Sequence, residues 1–475
     1  MKVKRRKSSV VFIGNTPMGG ENPIRIQSMT NTSTLDTEGS IQQCIRIIEA
    51  GGEYVRLTAQ GVREAENLHS IEEGLHALGY YTPLIADIHF NPKAAEAAAR
   101  IVEKVRINPG NFVDPVKTFK TVEYSGEEYQ QELGKIKERF VPFLNICKEH
   151  RTAIRIGVNH GSLSDRIMSR YGDTPHGMVE SCMEFLRICV SENFRNVVIS
   201  IKASNTLVMV QTVRLLVEEM DKEGMEFPLH LGVTEAGDGE DGRIKSAVGI
   251  GTLLREGIGD TIRVSLSEDP EAEIPVARLL VDYATKTELS PVCIQTESCA
   301  SLPDTYVPVL TDNRPATQQV LHAAYHEPDF DTFCVKAATD CGVYFLDRLA
   351  DGLLLSNSAP AITPEQVEAV ALGILQATGR RISKTEYISC PSCGRTLFDL
   401  QTVIKKVKAA TSHLKGLKIA IMGCIVNGPG EMADADYGYV GAGAGKVSLY
   451  KGKECILKNI PEENAVEELI KLIEN

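Results

Sequence analysis

Three cysteines near the end of the chain are spaced for metal chemistry. Cys390 and Cys393 form a C-x-x-C pair within SCPSCGRT, and Cys424 follows the apolar run KIAIMG at 418–423. Zinc ribbons, iron–sulfur sites and redox pairs all use a C-x-x-C pair, so the pair alone does not choose among them. The loop IVNGPGE after Cys424 presents Glu431, and the sequence offers neither a second C-x-x-C pair nor a nearby histidine. We therefore expect three thiolates and one oxygen ligand.

This ligand set suits iron–sulfur or zinc, because soft thiolates favour both. A hard carboxylate at one corner of an iron–sulfur cluster would leave one iron more exchangeable than the others, which is a property of a catalytic cluster. If the surrounding motif is disregarded, an alternative to metal binding remains: Cys424 is then a buried cysteine of a strand, and Glu431 is a carboxylate on the surface.

A second chemical signal lies in the first 290 residues, where each apolar run typical of a strand contains a charged residue. Side chains alternate across a strand, so these charges share one face with small polar residues while the intervening Val, Ile and Leu face the other way. The charged residues are Arg25, Arg56, Asp87, Arg106, Arg155, Lys202, Glu235 and Arg263, and the polar residues of the same face include Asn108, Asn159, Ser204 and Ser265.

Six of these charges are cations and two are carboxylates, and an unpaired buried charge is costly. We therefore expect an anionic ligand, and arginine forks suit phosphoryl oxygens. The alternative is that the arginines close the lower end of a barrel in ion pairs with helix carboxylates, and it applies most to Arg25.

The apolar runs alternate with helical segments, which is typical of repeated βα units. Eight units within about 250 residues favour a parallel (β/α)8 barrel over an open doubly wound sheet, and the active site of such a barrel lies at the C-terminal ends of its strands. The strand runs are 24–30, 54–59, 83–90, 104–111, 154–161, 197–205, 229–237 and 261–268, and the clearest helices are 38–50, 92–103, 178–192, 205–222, 242–255 and 397–409.

The composition is that of a globular protein. The chain has 475 residues and a net charge of −12, which argues against a nucleic acid or a membrane surface as its partner. No apolar run reaches the roughly 18 residues of a membrane span. The basic start MKVKRRKSS lacks the apolar region of a signal peptide, and we expect a solvated arm. Twelve cysteines without a secretion signal indicate reduced thiols in the cytoplasm.

The chain resembles the 4-hydroxy-3-methylbut-2-enyl diphosphate synthase family of the methylerythritol phosphate isoprenoid pathway. The resemblance covers roughly residues 8–287 and 380–475. It rests on RIQSMT, ADIHF, VRINPGN, IRIGVNHGSL, SIKASN, GVTEAG and IRVSLS, and on SCPSCGRT and MGCIVNGPGE. It implies reductive opening of 2-C-methyl-D-erythritol 2,4-cyclodiphosphate to an allylic diphosphate, with loss of a hydroxyl as water.

The resemblance also implies a cofactor, a partner and roles for single residues. A 4Fe-4S cluster would be held by Cys390, Cys393, Cys424 and Glu431, and electrons would come from flavodoxin or ferredoxin. Asp87, Glu235 and Glu431 are the expected catalytic residues. The expected substrate-binding residues are Arg56, Arg106, Asn108, Arg155, Asn159, Lys202, Ser204, Arg263 and Ser265.

We expect three domains: a barrel at 1–287, a small α/β insert at 288–385 and an α+β cluster domain at 386–475. The insert resembles a shortened version of the insertion in the longer family form. In the compact form, the cluster domain of one subunit covers the barrel of the other. An insert allows closure within one chain instead, so closure in cis and a homodimer both remain open.

Two other functions fit parts of the pattern. An electron-transfer or iron-sensing protein would use a cluster only to cycle electrons, but its barrel would not need a polar interior. A zinc-dependent barrel hydrolase or pterin-type transferase would bind zinc at the three cysteines.

Overall fold

The computed structural model describes residues 3–114, 123–286, 291–310, 312, 315–424 and 434–474. These ranges form a two-stranded hairpin, an eight-stranded sheet, a four-stranded sheet and a five-stranded sheet. No helix in them has the length and apolarity to cross a membrane.

The first hairpin plugs the lower end of the barrel. Its strands are β1 (Val11–Ile13) and β2 (Thr16–Met18). Val11, Ile13 and Met18 are buried against side chains that point into the barrel from the strand starts, including Tyr54. The apolar side chains of the hairpin therefore close the end of the barrel opposite its C-terminal mouth.

The basic amino terminus is not the solvated arm that we predicted. Arg5 pairs with Asp260, and Arg6 donates to the carbonyls of Met225 and Phe227 at 3.1 and 3.2 Å. The side chains of Arg5 and Arg6 are only 20% and 12% exposed, whereas Lys7 is 82% exposed. The acceptors lie more than 200 residues away along the chain, so the composition of the arm could not reveal them.

Eight parallel strands form the predicted (β/α)8 barrel. They are β3 (Arg25–Met29), β4 (Tyr54–Thr58), β5 (Leu84–Asp87), β6 (Lys104–Ile107), β7 (Ala153–Asn159), β8 (Val197–Lys202), β9 (His230–Leu231) and β10 (Thr261–Ile262). Their order is β8-β7-β6-β5-β4-β3-β10-β9, and a parallel bridge between Ile199 and Leu229 joins the two edge strands. Val55 and Leu57 belong to the apolar core shared with the outer helices, so the alternation within the strands is confirmed.

Helices cover the outside of the barrel, and side-chain caps begin many of them. Asp36 accepts from the amide of Gly39, and Asn205 accepts from the amide of Val208, as N-cap residues do. The helices are α1 (Thr37–Glu49), α2 (Val62–Ala77), α3 (Pro92–Ala98), α4 (Pro109–Phe112), α5 (Gly126–His150), α6 (Asp165–Tyr171), α7 (Pro175–Ser191), α8 (Thr206–Lys222), α9 (Gly239–Ser246), α10 (Thr252–Arg255) and α11 (Glu273–Ala284).

Two predicted helices differ in detail. Helix α3 ends at Ala98 rather than at 103, because the chain must turn before β6 begins at Lys104. The segment predicted at 242–255 is interrupted by a π-helical stretch, Ala247–Gly251, between α9 and α10. A 3-10 turn, Pro270–Ala272, precedes α11.

The insert is a four-stranded sheet with two helices. Its order is β11-β13-β14-β12, and a 3-10 turn, Cys299–Ser301, follows β11. One of its helices packs on the barrel, where Gly342 lies against Val248. The elements are β11 (Val292–Ser298), β12 (Val307–Pro308), β13 (Thr317–Tyr325), α12 (Phe330–Leu346), β14 (Gly352–Asn357) and α13 (Pro364–Ala377).

In its described residues, 386–424 and 434–474, the C-terminal unit has a five-stranded sheet and two helices. Its first three strands are parallel and the last two are antiparallel. Helix α14 begins at Leu400 rather than at the predicted 397, because Asp399 caps it by accepting from the amide of Thr402. The elements are β15 (Glu386–Ser389), α14 (Leu400–Thr411), β16 (Lys418–Met422), β17 (Tyr437–Gly443), β18 (Lys446–Lys451), β19 (Glu454–Pro461) and α15 (Glu462–Glu474).

The buried amino-terminal arm predicts unequal effects of two substitutions. Arg5→Ala should lower the free energy of unfolding by about 2 kcal/mol, because it removes a partly buried, charge-assisted hydrogen bond. Lys7→Ala removes an exposed charge and should change it by less than about 0.5 kcal/mol. Denaturant unfolding measures both, and equal effects would mean that the arm is solvated.

Candidate active site

One pocket lies where the barrel mouth, meaning the C-terminal ends of the barrel strands, meets the C-terminal unit. Its volume is about 760 Å³, part of which is open to solvent. Cations of the barrel form one side of its wall, and cysteines of the C-terminal unit form the other. The cations and the cysteines singled out in the sequence therefore lie in the same pocket. The predicted residues that line it are Arg56, Asp87, Arg106, Arg155, Asn159, Lys202, Glu235, Arg263, Ser265, Cys390, Cys393 and Cys424.

Two predicted substrate-binding residues are not in the wall of this pocket. Asn108 caps α4 through the amide of Gly110 and donates to Ser162. Ser204 lies in a neighbouring cleft, 3.5 Å from a carboxylate oxygen of Asp434. Asn108 and Ser204 both lie beyond the last residue of their strand. The alternation of side chains that places Arg106 and Lys202 inside the barrel therefore no longer applies to them. A third predicted residue, Glu431, lies outside the described residues.

The three cysteines reach the pocket from the ends of two neighbouring strands. Strands β15 and β16 pair in parallel, so Cys390 and Cys424 emerge at the same edge. The amide of Gly423 donates to Cys390 Sγ at 3.2 Å. Among the described residues, no three His, Cys, Asp or Glu side chains converge closely enough to share a single metal ion. The three cysteines all line the pocket.

The chemistry of this donor set fits a cationic group. Burial raises the pKa of the Cys390 thiol, and the nearby Cys424, Cys393 and Glu235 raise it further. The Cys390 thiol therefore resists ionisation when no cation is present. A bound metal reverses this balance, because it stabilises thiolates directly. Three cysteines on one wall of the pocket are thus a donor set that fits a thiophilic metal centre.

Three cations on the barrel side of the pocket form no ion pair within the described part of the chain. Arg56, Arg155 and Lys202 form no ion pair with any described residue. The guanidinium of Arg56 donates to the Met29 sulfur at 2.7 and 3.0 Å, and Nε and Nη1 of Arg155 have no hydrogen-bond partner within the described ranges. Burial lowers the pKa of Arg56 to about 10, although Asp87 opposes this effect. A buried anion would stabilise all three cations.

Other predicted cations already have partners. Arg263 makes two bonds to the Glu273 carboxylate, at 2.9 and 3.0 Å, and Arg25 pairs with Glu53 at 2.8 Å. The alternative of ion pairs with helix carboxylates at the lower end describes neither arginine in full, because Glu53 lies between α1 and β4 and Arg263, although its partner begins a helix, lines the pocket at the mouth. Glu273 begins α11 and was not foreseen as a partner, because nothing in its local sequence connects it to β10.

A deeper cation, Lys104, was not predicted from the sequence. Lys104 is completely buried on the inner face of β6, and its Nζ lies 4.6 Å from the centre of the Tyr54 ring. Burial, with Arg155 and Arg56 nearby, lowers its pKa well below the usual value. The alternation that places Arg106 inside also places Lys104 inside, so strand parity could have found it.

Asp87 lies between cations from both sides of the pocket. Its carboxylate is 3.2 Å from Arg106 and 3.4 Å from Arg395 of the C-terminal unit. Burial opposes ionisation, but Arg56, Arg106 and His89 hold the pKa of Asp87 well below its usual value. Burial beside Arg106 and Arg395 lowers the pKa of His89 to about 3. No role was predicted for His89 or Arg395, although both lie inside the motifs ADIHF and SCPSCGRT.

Glu235 has an unusual backbone conformation. Its φ of +53° lies in the left-handed region, and its side chain is 1% exposed. Such conformations are costly for residues other than glycine and are concentrated at functional sites. The next residue, Ala236, forms a parallel bridge with Ser389. This contact fixes Glu235 beside the cysteine side of the pocket.

The C-terminal unit covers the barrel of its own chain. Lys245 pairs with Glu386 at 2.6 Å, and Ser267 bonds the hydroxyl of Ser389 at 2.8 Å. A Cβ on Gly394 would lie only 2.7 Å from the Thr32 carbonyl oxygen. The structure thus shows closure within one chain, which is one of the two arrangements that the sequence left open.

A barrel with a cationic mouth and a cysteine-bearing cover has the architecture of a (β/α)8-barrel enzyme. The family model described as the GcpE TIM-barrel domain matches residues 8–278, and that of the GcpE protein C-terminal domain matches 386–475. The chain belongs to the GcpE family, the family of the 4-hydroxy-3-methylbut-2-en-1-yl diphosphate synthases, and is an oxidoreductase.

Curated relatives are similar over their full length and are named 4-hydroxy-3-methylbut-2-en-1-yl diphosphate synthase (flavodoxin). The relative from Parabacteroides distasonis is 56% identical in an alignment of 604 positions, gaps included. The alignment spans 99% of this chain and 98% of the relative. The relative from Phocaeicola vulgatus is 53% identical, with 99% and 97% covered. Since this chain has 475 residues, the relatives contain residues that it lacks.

The Lys245–Glu386 contact between the barrel and its cover predicts a pH-dependent stability difference. Burial opposes ionisation of Glu386, but Lys245 and Lys418 lower its pKa below the usual value. Its contribution is therefore present at neutral pH and is lost as the pH falls through the lowered pKa. Glu386→Gln should lower the free energy of unfolding by about 2 kcal/mol at pH 7, and the difference from the parent should shrink in acid.

Glu468→Gln is the matched control, because it removes an exposed carboxylate of an i,i+3 pair in the same unit. We expect it to change the free energy of unfolding by less than about 0.5 kcal/mol. Denaturant unfolding from pH 7 down to about pH 2, which passes through the lowered pKa of Glu386, measures both variants. An effect of Glu386→Gln that does not vary with pH would contradict the ionised contact.

Proposed function

We propose that the chain catalyses the reductive ring opening and dehydroxylation of 2-C-methyl-D-erythritol 2,4-cyclodiphosphate to 4-hydroxy-3-methylbut-2-enyl diphosphate. The observation that carries the proposal is a single pocket with unpaired cations on one side and three cysteines on the other. Two electrons and a proton convert the fully ionised cyclic diphosphate into the open allylic diphosphate and water. The reaction therefore needs an anion site beside a redox group, and the names of the relatives agree with it.

The buried cations would hold the diphosphate. Arg155 is 1% exposed, and Arg56 and Lys202 are 8% and 6% exposed. Phosphoryl oxygens would supply the negative charge that the described residues do not, and guanidinium groups bind them with two parallel hydrogen bonds. Because these donors are already in place and shielded from water, they stabilise charge at little cost of rearrangement.

We propose that Cys390, Cys393, Cys424 and Glu431 hold a 4Fe-4S cluster. The three thiols on one pocket wall support this assignment, and the part of Glu431 rests on the sequence motif. When bound, such a cluster supplies electrons one at a time and a Lewis-acidic iron.

The two buried carboxylates would have different roles. Asp87 is held ionised by the surrounding cations, so it is suited to accept hydrogen bonds from its neighbours and not to donate a proton. Glu235 lies on the pocket wall near Cys390. We assign Glu235 as the acid that assists departure of the hydroxyl as water, since a proton donor must reach the leaving oxygen.

The electron donor would be a small electron-transfer protein such as flavodoxin or ferredoxin, and the names of the relatives include flavodoxin. The substrate would be the small cyclic diphosphate, without a nucleic acid or membrane partner. We propose that the enzyme works in the cytoplasm, where buried thiols such as those of Cys44, Cys147 and Cys182 stay reduced, and that any homodimer does not share the pocket between subunits.

Anaerobic turnover tests this function directly. The purified holoenzyme with a low-potential reductant should convert the cyclic diphosphate to the allylic diphosphate, observed by phosphorus NMR. An intact 4Fe-4S spectrum without any product would contradict the proposal. Iron, sulfide and zinc analysis of the same sample separates it from a zinc hydrolase, and a cluster spectrum that ignores the substrate would favour an electron carrier.

Two substitutions separate the proposed sides of the pocket. Arg155→Ala should lower kcat/KM by about 100-fold, as the loss of one preorganised donor does, and should leave the cluster spectrum unchanged. Glu431→Ala should disturb the cluster itself. Arg187→Ala is the matched control, because this arginine is 42% exposed and lies on the outer helix α7. Parent-like kinetics and spectra in both test variants would show that the site is wrongly assigned.

A further inference from the structure

Arg395 connects the two sides of the pocket. It belongs to the cysteine loop, which we define as residues 390–396, and it is 8% exposed. Its Nη2 donates to the backbone carbonyl of Asp87 at 3.2 Å, and both terminal nitrogens lie 3.4 Å from the Asp87 carboxylate. Its Nη1 is also 3.9 Å from Cys393 Sγ. One guanidinium therefore contacts a barrel strand and a predicted metal ligand at the same time.

The partner carboxylate is itself fixed by the barrel. Asp87 ends β5, and its other oxygen accepts from Arg106 at 3.2 Å. Arg106 in turn donates to the carbonyl of Gly157 at 2.9 Å and to Asn159 at 3.3 Å. Arg395 thus binds a carboxylate that cannot move independently of the barrel wall. The position of the barrel strand therefore determines where the cysteine loop docks.

The cysteine loop approaches the barrel closely at the neighbouring residue. A Cβ at Gly394 would lie 2.7 Å from the Thr32 carbonyl oxygen. The loop can therefore dock at this distance only with glycine at 394, and the side chain of 395 then reaches into the pocket. Packing alone brings the loop close to the barrel, but the hydrogen bonds from the Arg395 guanidinium to Asp87 fix the orientation in which the loop docks.

We propose that Arg395 is a positioning residue that docks the cysteine loop on Asp87 and places a fixed positive charge beside the Cys393 thiolate. This inference rests on the proposed function only in its second part, because the docking contact exists without any bound group. A charge at this distance stabilises the additional negative charge of a reduced centre, as groups around metal ligands do. Reduction should therefore be easier with Arg395 than without it.

Replacing Arg395 by Met and by Lys separates charge from geometry. In the holoenzyme, Arg395→Met should disfavour one-electron reduction about tenfold, which corresponds to a midpoint about 59 mV more negative. Arg395→Lys keeps the charge but cannot form the fork, so it should restore most of the potential and not the docking. Turnover should fall about 10- to 100-fold in the Met variant.

Docking has its own measurement. Hydrogen exchange of the segments 390–396 and 86–90 in the holoenzyme should become faster in both variants, since local opening is no longer opposed by the fork. Asp87→Asn should produce similar acceleration, and adding Arg395→Met to it should add little. Lys405→Met is the control, because it removes an exposed positive charge from α14 of the same unit; its potential and exchange should match the parent.

The outcomes distinguish this inference from the proposed function. If the parent turns over the cyclic diphosphate while Arg395→Met keeps the parent potential and exchange rates, the role of Arg395 is wrong and the function stands. If the parent shows no turnover but the Met variant shifts the potential and loosens the loop, the function is wrong and the role stands. Full additivity of Asp87→Asn and Arg395→Met would also overturn the docking contact.

Discussion

Buried cations that form no ion pair within the described ranges are the constraint on which the rest of this structure depends. Arg56, Arg155 and Lys202 point into the barrel mouth from three strands and find no carboxylate among the described residues. Burying three such cations is energetically costly unless a bound anion compensates their charge. The Arg263–Glu273 and Arg106–Asp87 pairs show that the fold neutralises some of its inner cations, so the unpaired charge marks the part of the mouth kept for a ligand.

The cover over this mouth belongs to the same chain. The insert packs on the barrel helices through α12, and the C-terminal unit then reaches the mouth through the parallel bridge at Ser389 and the Lys245–Glu386 pair. Charge and thiols thus meet without a second subunit. The cover limits the access of water to a bound anion, which strengthens each electrostatic contact inside the pocket.

Strand parity explains why much of the site was predictable from sequence, and also where the prediction stopped. A period of two places Arg56, Arg155 and Lys202 inside wherever the strand is regular. It fails at Asn108 and Ser204, because β6 and β8 have already ended. Contacts between distant segments carry no local signal, which is why the burial of Arg5, the pairing of Arg263 with Glu273 and the reach of Arg395 to Asp87 were not foreseen.

A complementation experiment tests the central claim that one chain closes its own site. Arg155→Ala removes a barrel cation and Cys393→Ser removes a cysteine, so each variant alone should have little activity. The two chains, coexpressed with different tags and purified together, should remain as inactive as either variant, because neither chain then contains a complete pocket. Recovery of activity in the mixed species would show that the C-terminal unit covers the barrel of another subunit and would contradict the account.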